Sequence, residues 1–151
     1  DGVKFIFLGD GARREELIQR AEREGLSNVG FLGFQPEERF RSILSSADAC
    51  LVTLQPGMDR LSAPSRAYTF LSAGQPLVAM MPPDSELAQM MSETDVGWNV
   101  LDGHELAKLA RFLKRDTLEI EKRGLNARAL YDERFTKSRV SQEYIDLLDG
   151  F

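Results

Sequence analysis

Pro64, Ser65 and Arg66, in the stretch SAPSRAYTFLSAGQP over 62–76, have the residue types and spacing of an anion site. A proline is tolerated at the start of a helix, where its missing N–H costs nothing. The N–H groups that follow it have no partner within the helix and carry the positive end of the helix dipole. Ser65 adds a hydroxyl there and Arg66 a permanently charged fork of donors, a combination suited to phosphate oxygens. The same residues also suit ordinary helix capping, with Arg66 as a surface cation, and the spacing alone leaves both readings open.

Other candidates are weaker. GDGARR, over 9–14, places Gly9 and Gly11 after an apolar run, but Arg14 stands where a dinucleotide fingerprint needs its third glycine, which disfavours NAD. The glycines then serve a tight turn or let backbone lie close to a ligand. Asp48 precedes its strand, the wrong end of a parallel sheet for a phosphoacceptor. His104, the single histidine, lies beside a helix start without cysteine or histidine companions, so no metal site is expected. Cys50 is the single cysteine and lies in the apolar run ACLVTL, where it reads as a buried, inert thiol. No Ser-His-Asp set is legible, and LSAG lacks the flanking glycine of a nucleophile elbow. Trp98 and the methionines Met80, Met81, Met90 and Met91 read as core filling.

The elements that must position these residues alternate. VKFIFLGDG, NVGFLG, ACLVTLQ, PLVAMM and GWNVL read as five short strands, the first as a strand buried on both faces. Helices are expected over about 12–24, stopped by Gly25, from Pro36 onward, over about 64–73, and over about 85–92 with Asp84 as cap. Asp102 with Glu105 and Asp116 with Glu119 have capping-box spacing. Thr136 opens a last helix with Val140, Tyr144, Leu147 and Leu148 inward. Residues 55–63 read as a loop. Strand-helix alternation predicts an α/β domain: a mainly parallel Rossmann-like sheet with helices on both faces and ligands beyond the carboxyl ends of its strands.

Composition narrows the function classes. The chain has 151 residues, 42% hydrophobic and 28% charged, which fits one folded domain. Its formal net charge of -5 argues against a surface built to coat nucleic acid. No apolar run is long enough to span a bilayer and no signal peptide is legible, so a cytoplasmic protein is expected.

In order and spacing, the segment from FIFLGDGARREELIQRAEREG through NVGFLG and SADACLVTL to PSRAYTFLSAGQP resembles the C-terminal donor-binding domain of retaining GT-B-fold glycosyltransferases of the group 1 type, in the subgroup of bacterial surface-polysaccharide assembly. The resemblance covers nearly the whole chain. It implies a nucleotide-sugar donor, UDP- or GDP-linked, with Phe34 and Gln35 bordering the nucleobase. It also implies that Ser65 and Arg66 receive the diphosphate and that Gly9 and Gly11 let backbone approach it. Many relatives carry two glutamates seven residues apart; their places hold Leu61 and Thr69, which leaves Thr69 for the ribose. The family domain begins with another strand and helix, so this chain is expected to lack that first unit and to form a reordered or incomplete sheet.

The resemblance further implies a fragment of a two-domain enzyme, inactive alone. Its partners would be an N-terminal acceptor domain and a glycan or lipid-linked acceptor, with no cofactor, no metal, no nucleic acid and no transmembrane segment, and any inner-membrane association would come through the other half. Two alternatives remain: a noncatalytic α/β interaction module, and half of a UDP-sugar epimerase.

Overall fold

The computed structural model describes residues 2–54 and 64–150. The loop expected over 55–63, with Leu61, lies outside them. Strands and helices alternate as β1 (Phe5–Leu8), α1 (Arg14–Arg23), β2 (Val29–Leu32), α2 (Glu37–Ser45), β3 (Cys50–Thr53), α3 (Ser65–Ser72), β4 (Leu77–Met80), α4 (Glu86–Thr94) and β5 (Gly97–Val100). Three further helices follow, α5 (Gly103–Leu113), α6 (Thr117–Leu130) and α7 (Lys137–Asp149), with a π turn at Tyr131–Phe135. The chain divides into two compact units, Asp1–Ile43 and Leu44–Phe151.

The first unit is built on β1 and β2, which pair in parallel with Phe5 opposite Val29 and Leu8 opposite Leu32. Phe7 and Phe31 stack at 5.3 Å across that pair. Helix α1 buries Ala21 and leaves its charged face to solvent, and Gly25, at φ +63°, adopts the left-handed turn that ends it. The expectation that β1 is buried on both faces is corrected: Ile6 is 50% and Phe7 46% exposed. The cause is its neighbourhood, since among the described residues β1 pairs with β2 alone.

In the second unit three parallel strands run in the order β3-β4-β5. Successive side chains of β4 point to opposite faces, yet Leu77, Val78 and Ala79 are all buried, so both faces of this central strand are covered. On one side Leu77 and Ala79 join Val52, Ala67, Leu71, Leu87, Ala88, Met91 and Ala127 in the main core. The fit is close at Gly97, where an added Cβ would lie 2.0 Å from the Leu77 carbonyl oxygen. Helix α3 ends in a Schellman turn: Gly74, at φ +69°, donates its N–H to Leu71 O, and Gln75 donates to Phe70 O. Among the described residues the parallel pairing is β1 with β2 in the first unit and β3-β4-β5 in the second.

Most helix starts follow the expected chemistry. The Asp102 carboxylate accepts from the N–H groups of His104 and Glu105 at 2.8 and 2.9 Å, while Glu105 reaches back to the N–H of Leu101. Asp116 accepts from Glu119 N, and Thr136 from Arg139 N. Helix α4 is a correction, since its cap is Ser85, whose Oγ accepts from Ala88 N at 3.4 Å, and not Asp84. Ser85 is the residue with extended backbone (φ -68°, ψ 147°), the conformation a cap requires. Helix α7 is another: Tyr144, Leu147 and Leu148 are exposed and no α7 residue is buried, because no described element covers that face.

Candidate functional site

Candidate residues gather at carboxyl ends of strands, in each unit separately. In the first, β1 runs into Gly9, whose φ of +119° only glycine adopts readily and whose N–H donates to Leu32 O at 2.9 Å. That bond ties the turn after β1 to the end of β2. A second tie lies beyond it, where Phe34 donates its backbone N–H to Asp10 Oδ2 at 3.2 Å. Gln35 folds back on the same loop, its Nε2 donating to Gly33 O at 3.0 Å. The structure thus brings Gly9, Phe34 and Gln35 to one place. Phe34 is 84% exposed, its ring presented outward from a loop held at two points. Gly11 neighbours them in open space, with nothing within 4 Å of an added Cβ, and its carbonyl accepts from Arg14 N.

In the second unit α3 opens at Pro64, which has extended backbone (φ -71°, ψ 92°) and no side-chain cap. Ser65 and Arg66 are exposed in the first turn, and among the described residues neither side chain has a hydrogen-bond or ion-pair partner. Thr69 follows one turn after Ser65 and is exposed as well, so its hydroxyl stands on the same stretch of helix surface. Ala67 and Leu71 are buried, which fixes the exposed positions around them.

The sequence reading gave no site role to Asp10, Arg14 or Arg123. The Arg14 guanidinium stands 3.5 Å from Asp10 Oδ1, and its buried Nε has no hydrogen-bond partner. Arg123 lies 4.6 Å over the Trp98 ring, donates to Gly97 O at 2.7 Å and pairs with Asp95 and Glu119. Trp98, expected as core filling, is only partly buried and lies outside the main core, where it partners a cation. The Lys122 ammonium, hydrogen-bonded to Asp95, holds that carboxyl below its ordinary range, and Arg123 adds to the effect. The signals for these residues were charge and proximity to a glycine turn; Arg14–Asp10 and Arg123–Glu119 are four residues apart, but Phe34, Gly97 and Asp95 lie 24 to 28 residues from their partners.

Two hollows lie elsewhere. One of about 380 Å³, lined by Ile18, Leu26, Val29 and Phe31, opens at the amino end of β2, away from the strand ends that carry the candidates. The other, of about 310 Å³, is lined by Asn99, Asp95 and Arg123. Burial pushes the Cys50 thiol up to about 12, which keeps it protonated and unreactive. His104 is exposed, as read from sequence. Among the described residues no three His, Cys, Asp or Glu side chains cluster to hold a metal ion, and no helix is long and apolar enough to cross a membrane.

No protein-family model matches the chain. A Pseudomonas aeruginosa protein named as a glycosyltransferase, WbjE, is 33% identical over 109 residues, 72% of this chain and 27% of the relative. The chain is a relative of the glycosyltransferases. WcaI of Escherichia coli, named for colanic acid biosynthesis as a glycosyl transferase, is 25% identical over 146 residues, 97% of this chain and 36% of its own length. Among solved structures, HepE of Anabaena in complex with UDP aligns over 99% of the chain with a TM-score of 0.77 and 25% identity. AviGT4, a glycosyltransferase of avilamycin A biosynthesis, shares the fold at a TM-score of 0.56 and 20% identity. The chain spans 27% and 36% of its two curated glycosyltransferase relatives and 41% of HepE. Its α/β build, with parallel sheets flanked by helices, is that of a Rossmann-like half of such an enzyme.

Proposed function

We propose that this chain is the donor-binding part of a glycosyltransferase that takes a sugar from a nucleoside diphosphate and passes it, with retention, to a glycan or lipid-linked acceptor. The observation that carries this reading is the alignment of 99% of the chain with HepE, whose structure holds UDP. WcaI's name, which assigns it to colanic acid biosynthesis, favours an acceptor in bacterial surface-polysaccharide assembly. In this reading the chain is one domain of a two-domain enzyme and does not turn over alone, because the acceptor and its activating groups belong to the other half.

The residues divide the donor between them. The exposed ring of Phe34 stacks on the nucleobase and Gln35 borders it. In the second unit the first-turn N–H groups of α3, the Ser65 hydroxyl and the Arg66 guanidinium receive the diphosphate; in the first unit Gly9 and Gly11 leave the backbone open to a ligand. Thr69 faces the ribose. When the sugar–phosphate bond breaks, its electron pair leaves with the diphosphate, and fixed N–H dipoles with Arg66 stabilise that charge as it forms. No metal is required for that role.

Titration calorimetry of the full-length protein with UDP and GDP tests the reading. Binding of one of them, weakened about tenfold by Arg66→Ala through loss of a charge-assisted contact, is the expected result. No binding of either overturns it in favour of a noncatalytic module. A product with altered sugar stereochemistry and no transfer would instead mark an epimerase.

A further inference from the structure

We propose that Asp10 is a positioning residue for the nucleobase: its carboxylate, braced by Arg14, holds the loop that presents Phe34. The inference rests on the reading above, in which Phe34 stacks on the base.

Strand β2 ends at Leu32, so the backbone N–H of Phe34 has no ladder partner to orient it. It is taken instead by Asp10 Oδ2, across 24 residues of sequence. An N–H donating to a carboxylate is stronger and more directional than one donating to a neutral oxygen. Asp10 is itself constrained on two sides. Gly9 before it has the left-handed φ of +119° and is bonded to Leu32 O, and Arg14 stands 3.5 Å from the other carboxylate oxygen. The carboxyl oxygens also lie 3.8 and 3.9 Å from where a Gly33 Cβ would be, so the carboxylate packs along the loop it holds.

Among the described residues Phe34 is the most exposed of the large apolar side chains, at 84%. An aromatic ring on an unrestrained loop loses conformational freedom when it binds, and a ring already held in place loses less. The carboxylate therefore contributes to base affinity without touching the base. Because the Phe34 N–H is occupied by Asp10, that amide is not available to read the base edge, which leaves stacking and the Gln35 side chain for recognition.

A double-mutant cycle on the full-length protein tests this, with the tighter-bound of UDP and GDP and with inorganic pyrophosphate as probes. Phe34→Ala is expected to weaken nucleoside diphosphate binding about tenfold, the loss typical of one base stack, and to leave pyrophosphate binding unchanged. Asp10→Ala is expected to weaken the nucleoside diphosphate about fivefold, again sparing pyrophosphate, and to add nothing in the Phe34→Ala background. Asp10→Asn, whose amide oxygen still accepts the N–H, should recover binding to within about twofold of wild type. Hydrogen exchange at the Phe34 amide, slow in wild type and faster in Asp10→Ala, provides a readout independent of ligand.

The inference is overturned if Asp10→Ala binds like wild type, if the two losses multiply, if pyrophosphate binding falls equally, or if the amide stays protected without Asp10. A wild-type protein that binds the nucleotide normally while Phe34→Ala has no effect instead overturns the assignment of Phe34, and the role of Asp10 with it.

Discussion

Strands β1 and β4 have the same kind of sequence, FIFL and LVAM, and different burial. In the second unit β4 is paired on both edges and Leu77 and Ala79 are fully buried. In the first unit β1 is paired on one edge and Ile6 and Phe7 are about half exposed. An apolar run specifies a strand in both places, but how far it is buried depends on how many elements surround it. The candidate residues divide along the same line. Phe34 and Gln35 stand on a loop held by side chains, whereas Ser65 and Arg66 stand on a helix anchored by the main core through Ala67 and Leu71.

The sharpest way to break that contrast is a methyl group added to a glycine in each unit. Gly97→Ala places its Cβ against the backbone of β4, 2.0 Å from Leu77 O, where no side chain can yield. A loss of about 3 kcal/mol or more is expected in chemical denaturation, in the range of severe overpacking. Gly11→Ala meets nothing within 4 Å and its φ is not in the left-handed region, so its stability should stay within about 0.5 kcal/mol of wild type. Equal losses at the two positions would mean that β4 and β5 are less closely packed than the structure has them.

Truncating apolar side chains sharpens the comparison further. Leu71 is fully buried among α3, β4 and α6, and Leu71→Ala should cost about 3 kcal/mol through lost contacts and the cavity left behind. Phe7 has a stacked partner in Phe31 but is 46% exposed, and Phe7→Ala should cost about 1 kcal/mol in the same assay. A Phe7→Ala loss as large as that of Leu71→Ala would show β1 to be covered in solution.

Local chemistry was the legible part. Capping by Asp102, Asp116 and Thr136 is written in spacings of two or three residues, and the β-α alternation in short apolar runs between glycines. At α4 two cap-forming residues stand side by side, and only backbone conformation selects Ser85 over Asp84. What escaped the sequence depends on chain brought together from afar. The Asp10 hydrogen bond to Phe34, Arg123 against Gly97 O and the exposure of α7 have no periodic signal, because period reports which face is apolar and not what covers it. Residue types and spacing singled out Ser65 and Arg66, and the resemblance suggested Phe34 and Gln35, while the Asp10 hydrogen bond to the Phe34 loop became visible only in the structure.

The smallest expected effect separates the units by charge. Asp95 ends α4 in a left-handed conformation, φ 52°, and its carboxyl is held below the ordinary range chiefly by the hydrogen bond from Lys122, with Arg123 adding Coulombic attraction and burial opposing. A carboxyl whose folded pKa lies below its unfolded value stabilises the fold above the unfolded pKa of about 3.9, and that contribution is lost as pH falls through the lower, folded value. At 40% side-chain exposure, solvent screening limits the gain to under about 1 kcal/mol. Asn tolerates the left-handed backbone, so Asp95→Asn removes the charge and keeps the conformation. The difference in urea midpoint between wild type and Asp95→Asn should be largest near neutral pH and close as acid is added below about pH 4. In the first unit Glu16 is also held low, by its hydrogen bond from Arg13, but the pair is fully solvated and Glu16→Gln should leave the midpoint unmoved at every pH. If Asp95→Asn and Glu16→Gln gave the same acid profile, the Asp95 cluster would be a surface pair like the other, and Arg123 would owe its place to Trp98 and Gly97 alone.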